Sequence, residues 1–275
     1  TATGVGWVAL ATPATFGADS LLYLWGRPRW THADLALLDE AEALTAGVAT
    51  TYGHVVVDEA QDLSAMELRL VARRSPDRSM TVLGDLAQAT SAAGQRRWED
   101  AVIHLGASQA RVEELELGYR VPAAILDFAN RLLPVAAPHV RPSRSVRTGG
   151  DPPRIVRADD LAAGVVAETA GLAGRWTSVG VIVPTSTLDA LATALAEAGM
   201  AFADGRRGAL SDTVTLLGPA AAKGLEFDAV LVAEPARIVA EEPSGHRALY
   251  VALTRAVQEV VVVSTSDLPE LLRSA

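Results

Sequence analysis

The chain has 275 residues, no Cys, 49% hydrophobic and 21% charged residues, and 24 basic against 33 acidic side chains, for a formal charge of −9. That length predicts roughly two globular domains, and the composition excludes a disordered or fibrous chain. Zero Cys excludes a disulfide scaffold, a thiolate metal site and a cysteine nucleophile, while the acidity leaves no general field for phosphate backbones, so any grip on nucleic acid must be local.

Residues 5–24 form the most apolar stretch near the start, but Pro13, Gly17 and Asp19 interrupt it. It falls short of the ~20 uninterrupted apolar residues of a membrane span. No signal-peptide pattern is visible, so the expectation is a cytoplasmic protein with no membrane partner. A helical pattern follows at 34–44, and then the β-branched strand 54–57 ends in Asp58 and Glu59. A carboxylate at the carboxyl end of a strand points into the crevice where α/β sheets bind ligands. Asp58 there could hold the water shell of Mg²⁺, and Glu59 could orient and deprotonate a water. Plain structure is the other reading, with Asp62 as N-cap of the next helix, 63–73.

The strand 80–83 ends in Gly84-Asp85-Leu-Ala-Gln88. The Gln88 amide can donate to a phosphate oxygen and accept from a water, or the segment can be an ordinary βα turn. Tyr119-Arg120 precedes the helix 122–133: an aromatic face for a base and a guanidinium for a phosphate, or packing and a surface charge. Pro, Ser, Gly and Arg then replace the apolar pattern over 134–153, which predicts a long exposed loop carrying Arg141, Arg144 and Arg147. Beyond it come helix 161–172, strand 179–183, helix 187–198, Lys223-Gly224-Leu-Glu226-Phe227 leading into strand 229–232, helix 244–255 and strand 259–263. Arg255 closes the last helix, either as a cation near a helix C-terminus or as an arginine finger on a transferred phosphoryl group. Short strands alternating with helices give an α/β chain built on mainly parallel sheets. Residues 1–118 carry a net charge of −7 and 119–275 a net charge of −2, so the acidity lies mainly in the first half.

Taken in order, Asp58-Glu59-Ala-Gln-Asp62, Gly84-Asp85-Leu-Ala-Gln88, Tyr119-Arg120, Lys223-Gly224-Leu-Glu226-Phe227 and Val251-Ala-Leu-Thr-Arg255 resemble the second through sixth motifs of superfamily I helicases of the UvrD, Rep and PcrA type. The resemblance covers residues 54–263. It implies a P-loop NTPase motor of two RecA-like domains with ATP and Mg²⁺ between them, the first in 1–118 and incomplete, the second in 119–275. By the same resemblance Asp58 would handle Mg²⁺ and Glu59 would be the catalytic base. Gln88, with Asp85 in the same turn, would sense the γ-phosphate. Tyr119 would stack on adenine, Arg120 would contact the γ-phosphate, and Glu226, within the stretch opened by Lys223 and Gly224, would touch the ribose. Arg255 would be the finger.

The pattern is broken in two ways. No Gly-x-x-x-x-Gly-Lys-Ser/Thr occurs, and the single Lys is Lys223, inside a different motif. The expectation is therefore the C-terminal portion of a longer motor, inactive alone and needing the upstream part of the same protein. The nucleic-acid-facing positions are also altered: Gln88 is followed by Ala-Thr-Ser-Ala-Ala, with no stacking aromatic until Trp98, and Gly218-Pro-Ala-Ala-Ala222 stands where the DNA helicases carry His and Ser. Together with Trp7-Val-Ala-Leu-Ala-Thr-Pro13, the Trp30 segment and Tyr52-Gly-His54, this resembles the HelD-type factors that act on bacterial RNA polymerase. RNA polymerase would then be the partner, nucleic acid contact would be weak, and residues 1–50 would hold the end of an insertion. A 3′–5′ DNA helicase or translocase of the UvrD type, and a non-catalytic helicase-like binding module, are the alternatives.

Overall fold

The computed structural model describes residues 30–207 and 213–273. The apolar stretch 5–24, the Trp7 segment and most of the expected insertion lie outside the described residues. The chain divides into two compact units. The first runs up to Gly84 and takes in Ala93–Arg111, and the second comprises Asp85–Ala92 and Val112–Ala275. The break at Arg111 falls close to the boundary expected at 118/119, but the segment carrying Asp85 and Gln88 groups with the second unit.

In the first unit, α1 (His32–Ala46) precedes β1 (Val55–Val57), and α2 (Ala65–Arg73) crosses to β2 (Met80–Val82). The strands are parallel, with Val55, Val56 and Val57 opposite Met80, Thr81 and Val82. The N-cap of α2 is Ser64, whose hydroxyl accepts from the Glu67 N–H while the Glu67 carboxylate accepts from the Ser64 N–H. Asp62, expected from the sequence as that cap, lies instead in the 3₁₀ turn Ala60–Asp62. After α3 (Trp98–His104) a small core closes around Leu68, Ala72, Ala101 and Leu105, with Met80, Val82 and Trp98 against it. Asp39 and Glu40 of α1 are paired with Arg69, Arg73 and Arg74 at the end of α2.

The second unit opens with β3 (Leu117–Gly118), α4 (Ala123–Asn130), α5 (Leu133–Ala136) and β4 (Arg144–Ser145), which pairs with β3 in parallel. Next come β5 (Arg154–Arg157), α6 (Leu161–Ala173), β6 (Val179–Ile182), α7 (Leu188–Glu197), β7 (Ala203–Asp204) and β8 (Val214–Leu217). The remainder is β9 (Phe227–Ala233), α8 (Pro235–Glu241), α9 (Gly245–Leu253), β10 (Ala256–Ser264) and α10 (Glu270–Arg273). Six strands form one parallel sheet in the order β5-β10-β9-β6-β8-β7.

Alternation along the central strands assigns both faces. Val230, Val232, Val260 and Val262 pack into one core with α4, α5 and α9, whereas Ala229, Leu231, Val261 and Val263 pack into the other with α6 and α7. Both faces are therefore covered, which is why these strands read as continuous apolar runs. Gly180 in β6 is demanded by its neighbour, since a Cβ there would lie 2.5 Å from Cδ2 of Phe227. The open space seats Phe227 and with it the start of β9.

The stretch 134–153 is largely the irregular, exposed loop expected, with two short regular pieces and one tie to the large sheet. Leu133–Ala136 is helical, Arg144 is in a strand, and Arg147 donates to the Val257 carbonyl at 2.6 Å and to Gln258 Oε1 at 2.9 Å. Arg141 is paired with Glu116 at 3.3 Å. Arg147 thus helps hold the unit's own fold, whereas Arg141 and Arg144 are exposed. No helix among the described residues is long and apolar enough to cross a membrane.

At the carboxyl end of β9, Glu234 is buried with φ 46, left-handed for a non-Gly residue. Its carboxylate accepts from the Thr265 N–H, from the Thr265 hydroxyl at 2.7 Å and from the Ser266 hydroxyl at 2.7 Å, tying β9 to the chain leaving β10. Burial pushes its pKa up, but these hydrogen bonds outweigh that and hold it below the ordinary 4.5. A depressed folded-state pKa contributes stability that is present above pH 4.5 and lost as pH falls through the folded value. Glu234→Gln is accordingly expected to cost about 1–2 kcal/mol at pH 7. In urea unfolding the gap from wild type narrows on acidification below pH 4.5; a gap that is constant with pH contradicts the assignment.

Candidate functional site

The first unit presents its two carboxylates at the end of β1. Val57 is buried, and the Leu83 N–H donates to the Val57 carbonyl at 2.8 Å while the Ala60 N–H donates to the Leu83 carbonyl at 3.0 Å. The chain must therefore turn within two residues. Glu59 takes a left-handed conformation (φ 54, ψ 30), and its N–H donates to Asp58 Oδ1 at 2.8 Å. Both carboxylates are exposed at the carboxyl edge of the two-stranded sheet, as the residue pattern predicts. Glu59 Oε2 also accepts from Gln61 Nε2 at 2.6 Å.

In the second unit, four of the residues singled out in the sequence, Asp85, Gln88, Lys223 and Arg255, gather on one network at the amino edge of the large sheet, ahead of β9 and β10. Arg255 is 3% exposed. Its Nε donates to the Val251 carbonyl at 3.1 Å, its Nη1 to the Leu225 carbonyl at 3.4 Å and its Nη2 to Gln88 Oε1 at 2.9 Å. Arg255 thus satisfies a carbonyl of the last turn of α9 and directs Nη2 to Gln88 of the segment 85–92. Gln88 Nε2 in turn donates to Asp85 Oδ2 at 2.7 Å, and Asp85 Oδ1 accepts from the Ala87 N–H at 2.9 Å. Lys223 Nζ donates to the Gln88 carbonyl at 3.0 Å.

Gly224 follows with φ 74, a turn that suits glycine, and carries the chain to Glu226. Glu226 is paired with Arg120 at 3.0 Å, both about half exposed. Tyr119 beside it is 79% exposed, with its ring open to a ligand. Burial pushes the Tyr250 phenol on α9 well above its usual range, Asp85 pushes it further, and Arg255 opposes them. The Tyr250 phenol therefore stays neutral behind the network.

The opposite edge of the same sheet is less suited to a nucleotide. At the carboxyl ends of β6 and β9, Glu234, Glu241 and Glu242 accept hydrogen bonds from Thr265, Ser266, Ser186 and Thr185. That rim is acidic and its carboxylates are engaged, so it repels phosphate.

Three residues of these sites are given no role by the sequence pattern. Gln61 is fully buried, Gly84 lies against it, and Arg247 of α9 donates to the Ala89 carbonyl at 3.3 Å. Gln61 stands within the Asp58–Asp62 motif, but nothing in its spacing shows that its side chain turns back toward Glu59. No group of three or more His, Asp or Glu able to hold a metal occurs among the described residues. Mg²⁺ on a nucleotide keeps several waters and takes only one or two protein carboxylates. Asp58, with one oxygen on a backbone N–H and the group exposed, fits that demand.

The second unit is a mixed α/β domain with a six-stranded parallel sheet flanked by helices. Residues 220–263, running from the turn before Lys223 through Arg255 into β10, match the UvrD-like helicase C-terminal domain family. The structure is similar to the C-terminal domain of a possible DNA helicase from Lactobacillus plantarum WCFS1, at 27% identity over 56% of this chain and 92% of that one, with a TM-score of 0.45. It is also similar to arterivirus nonstructural protein 10, a helicase in complex with DNA, at 15% identity over 78% of this chain and 40% of that one, with a TM-score of 0.41. No curated protein matches the chain.

Proposed function

We propose that the chain is the C-terminal motor portion of an ATP-dependent superfamily I helicase-like protein, of the HelD type that acts on RNA polymerase. The observation that carries the ATPase reading is the network joining Gln88, Lys223 and Arg255, with the Arg120–Glu226 pair beside it; Lys223, Glu226 and Arg255 lie in residues 220–263, the stretch that matches UvrD-like helicase C-terminal domains. ATP hydrolysis is the chemistry that suits each set taken by itself, the Gln88–Lys223–Arg255 network of the second unit and the Asp58–Glu59 pair of the first. The sequence carries no Gly-x-x-x-x-Gly-Lys-Ser/Thr motif, so this reading requires a phosphate loop that these residues do not supply.

Glu59 orients a water and takes its proton as the water oxygen bonds to the γ-phosphorus. The bond from that phosphorus to the β,γ-bridging oxygen breaks, and ADP leaves with the electron pair. Arg255 spreads the charge that develops on the transferred phosphoryl group, and Gln88 reports whether a γ-phosphate is present. Tyr119 stacks on the adenine, Arg120 and Lys223 add positive charge, and Glu226 reaches the ribose. Asp58 would hold Mg²⁺ through its water shell, and the ion would supply positive charge against the phosphates.

The polymerase reading is supported by what the nucleic-acid-facing positions lack. Ala220 and Ala221 are exposed small residues where a DNA motor needs donors or a stacking ring, and the chain carries −9. The test uses the full-length protein: capture from cell extract with RNA polymerase as the companion, and ATPase rates with and without single-stranded DNA. Co-purification with polymerase, and less than about twofold stimulation by DNA, is expected. Salt-dependent binding to single-stranded DNA with many-fold stimulation contradicts it and favours a translocase of the UvrD type.

A further inference from the structure

We propose that Gln61 is the positioning residue for Glu59, and that Gly84 provides the space in which its amide is held. The inference rests on reading Glu59 as the base of ATP hydrolysis. Gln61 belongs to the 3₁₀ turn Ala60–Asp62 and is fully buried, two residues after an exposed Glu59. Its carbonyl accepts from the Gln95 N–H at 2.7 Å, and the buried Gln95 side chain donates to the Leu63 carbonyl at 2.7 Å. The backbone of Gln61 is therefore fixed by the returning segment, independently of Glu59.

From that fixed base the side chain makes two directed approaches. Nε2 donates to Glu59 Oε2 at 2.6 Å, the short length expected of a hydrogen bond to a carboxylate. Oε1 lies against Gly84, where a Cβ would stand 2.3 Å from it and 3.0 Å from Cη2 of Trp98. The φ of Gly84 is not positive, so the glycine is required for space rather than for its dihedrals. Any side chain at 84 would push the amide off its line to Glu59.

Glu59 needs such a partner. Its backbone is left-handed, a conformation that persists in a non-Gly residue only where the surroundings hold it. An exposed Glu has three side-chain torsions to wander through, and a base must lie within hydrogen-bond reach of the water it deprotonates. A buried donor on Oε2 fixes the line along which that carboxylate is held. Misplacement of a catalytic group by about 1 Å can cost on the order of 10²-fold in rate, so the role is one of orientation.

The experiment measures steady-state ATPase, binding of a fluorescent ATP analogue and thermal unfolding in the full-length protein. The variants are Gln61→Glu, Gly84→Ala and the double, with Glu59→Gln as reference. Gln61→Glu keeps the shape but replaces the donor with a like charge. It is expected to lower kcat by about 10–100-fold with nucleotide KM and Kd within about twofold, because Gln61 does not itself touch nucleotide. Gly84→Ala is expected to give the same split, and the double variant should lose no more than the worse single, since both act through one hydrogen bond.

Wild-type kcat in Gln61→Glu alongside a dead Glu59→Gln overturns the proposal. So does a parallel change in kcat and KM, or losses that multiply in the double variant, either of which marks a merely structural role. If Gln61→Glu does not fold, Gly84→Ala decides on the same criteria. If Glu59→Gln itself turns over normally, the reading of Glu59 has failed and the positioning proposal falls with it.

Discussion

Glu59→Gln in the full-length protein is expected to lower kcat for ATP hydrolysis by about 10²–10⁴-fold, the range that positioned general bases contribute, and to leave nucleotide affinity within about a factor of two. The substitution is close to isosteric and removes only the ability to take a proton. The amide oxygen can still accept from Gln61 Nε2, and the Glu59 N–H still donates to Asp58 Oδ1, so the turn at the end of β1 survives. Asp58, the Mg²⁺ residue in this reading, is untouched. Steady-state phosphate release and titration with a fluorescent nucleotide separate the two quantities. Turnover above about a tenth of wild type removes Glu59 from the chemistry and favours a non-catalytic binding module.

Such a variant also has a use. A protein that binds ATP without hydrolysing it should accumulate in whichever partner-bound state ATP favours. Capture of RNA polymerase by Glu59→Gln, compared with wild type, then reports on coupling.

Whether a strand is legible in the amino-acid sequence depends on where it sits in the sheet. Both faces of β6, β9 and β10 are covered, so their sequences have to be apolar in every register, and each is readable as a β-branched run. β5 lies at the sheet edge, pairs on one side only and begins and ends with Arg, so its Arg-Ile-Val-Arg resembles a loop after Pro152-Pro153. The two-residue strands β3, β4 and β7 carry no periodicity to detect. β8 is the instructive miss: Val214–Leu217 is wholly buried, but four residues with a Thr among them give too short a signal to separate from a helix end.

The site follows the same logic. Asp58, Glu59, Gln88, Lys223, Glu226 and Arg255 are chemistry-bearing side chains at the ends of elements, and one-dimensional order is enough to select them. Gln61, Gly84 and Arg247 escape selection because their roles exist only across space. A Gln two residues from a Glu is unremarkable in sequence, and Gly84 reads as a turn residue until a Cβ is built on it. Asp62 misleads for the opposite reason: it has the residue type of a cap, but Ser64 stands next to the first helical residue and has Glu67 three positions on. Arg147 likewise looks solvated because its acceptors, the carbonyl of Val257 and the side chain of Gln258, come from β10, more than a hundred residues later.

Arg255→Ala should have the largest effect of any substitution in the second unit, lowering kcat by about 10³–10⁵-fold as removal of an arginine finger does. Unlike Glu59→Gln, it should also cost stability. Arg255 is 3% exposed and donates to the carbonyls of Val251 and Leu225 and to Gln88 Oε1. Leaving buried acceptors short of a donor costs about 1–3 kcal/mol each, and less where water enters. The informative comparison is Arg255→Lys. A lysine keeps the charge but has one nitrogen in place of three, so it cannot hold the α9 carbonyl and still reach Gln88. It should recover most of the thermal stability and little of the turnover. If Lys restored kcat to near wild type, charge alone would be sufficient and the finger geometry would be wrong. If both variants lost stability equally while retaining turnover, Arg255 would be no more than the helix cation that its position just after α9 also allows.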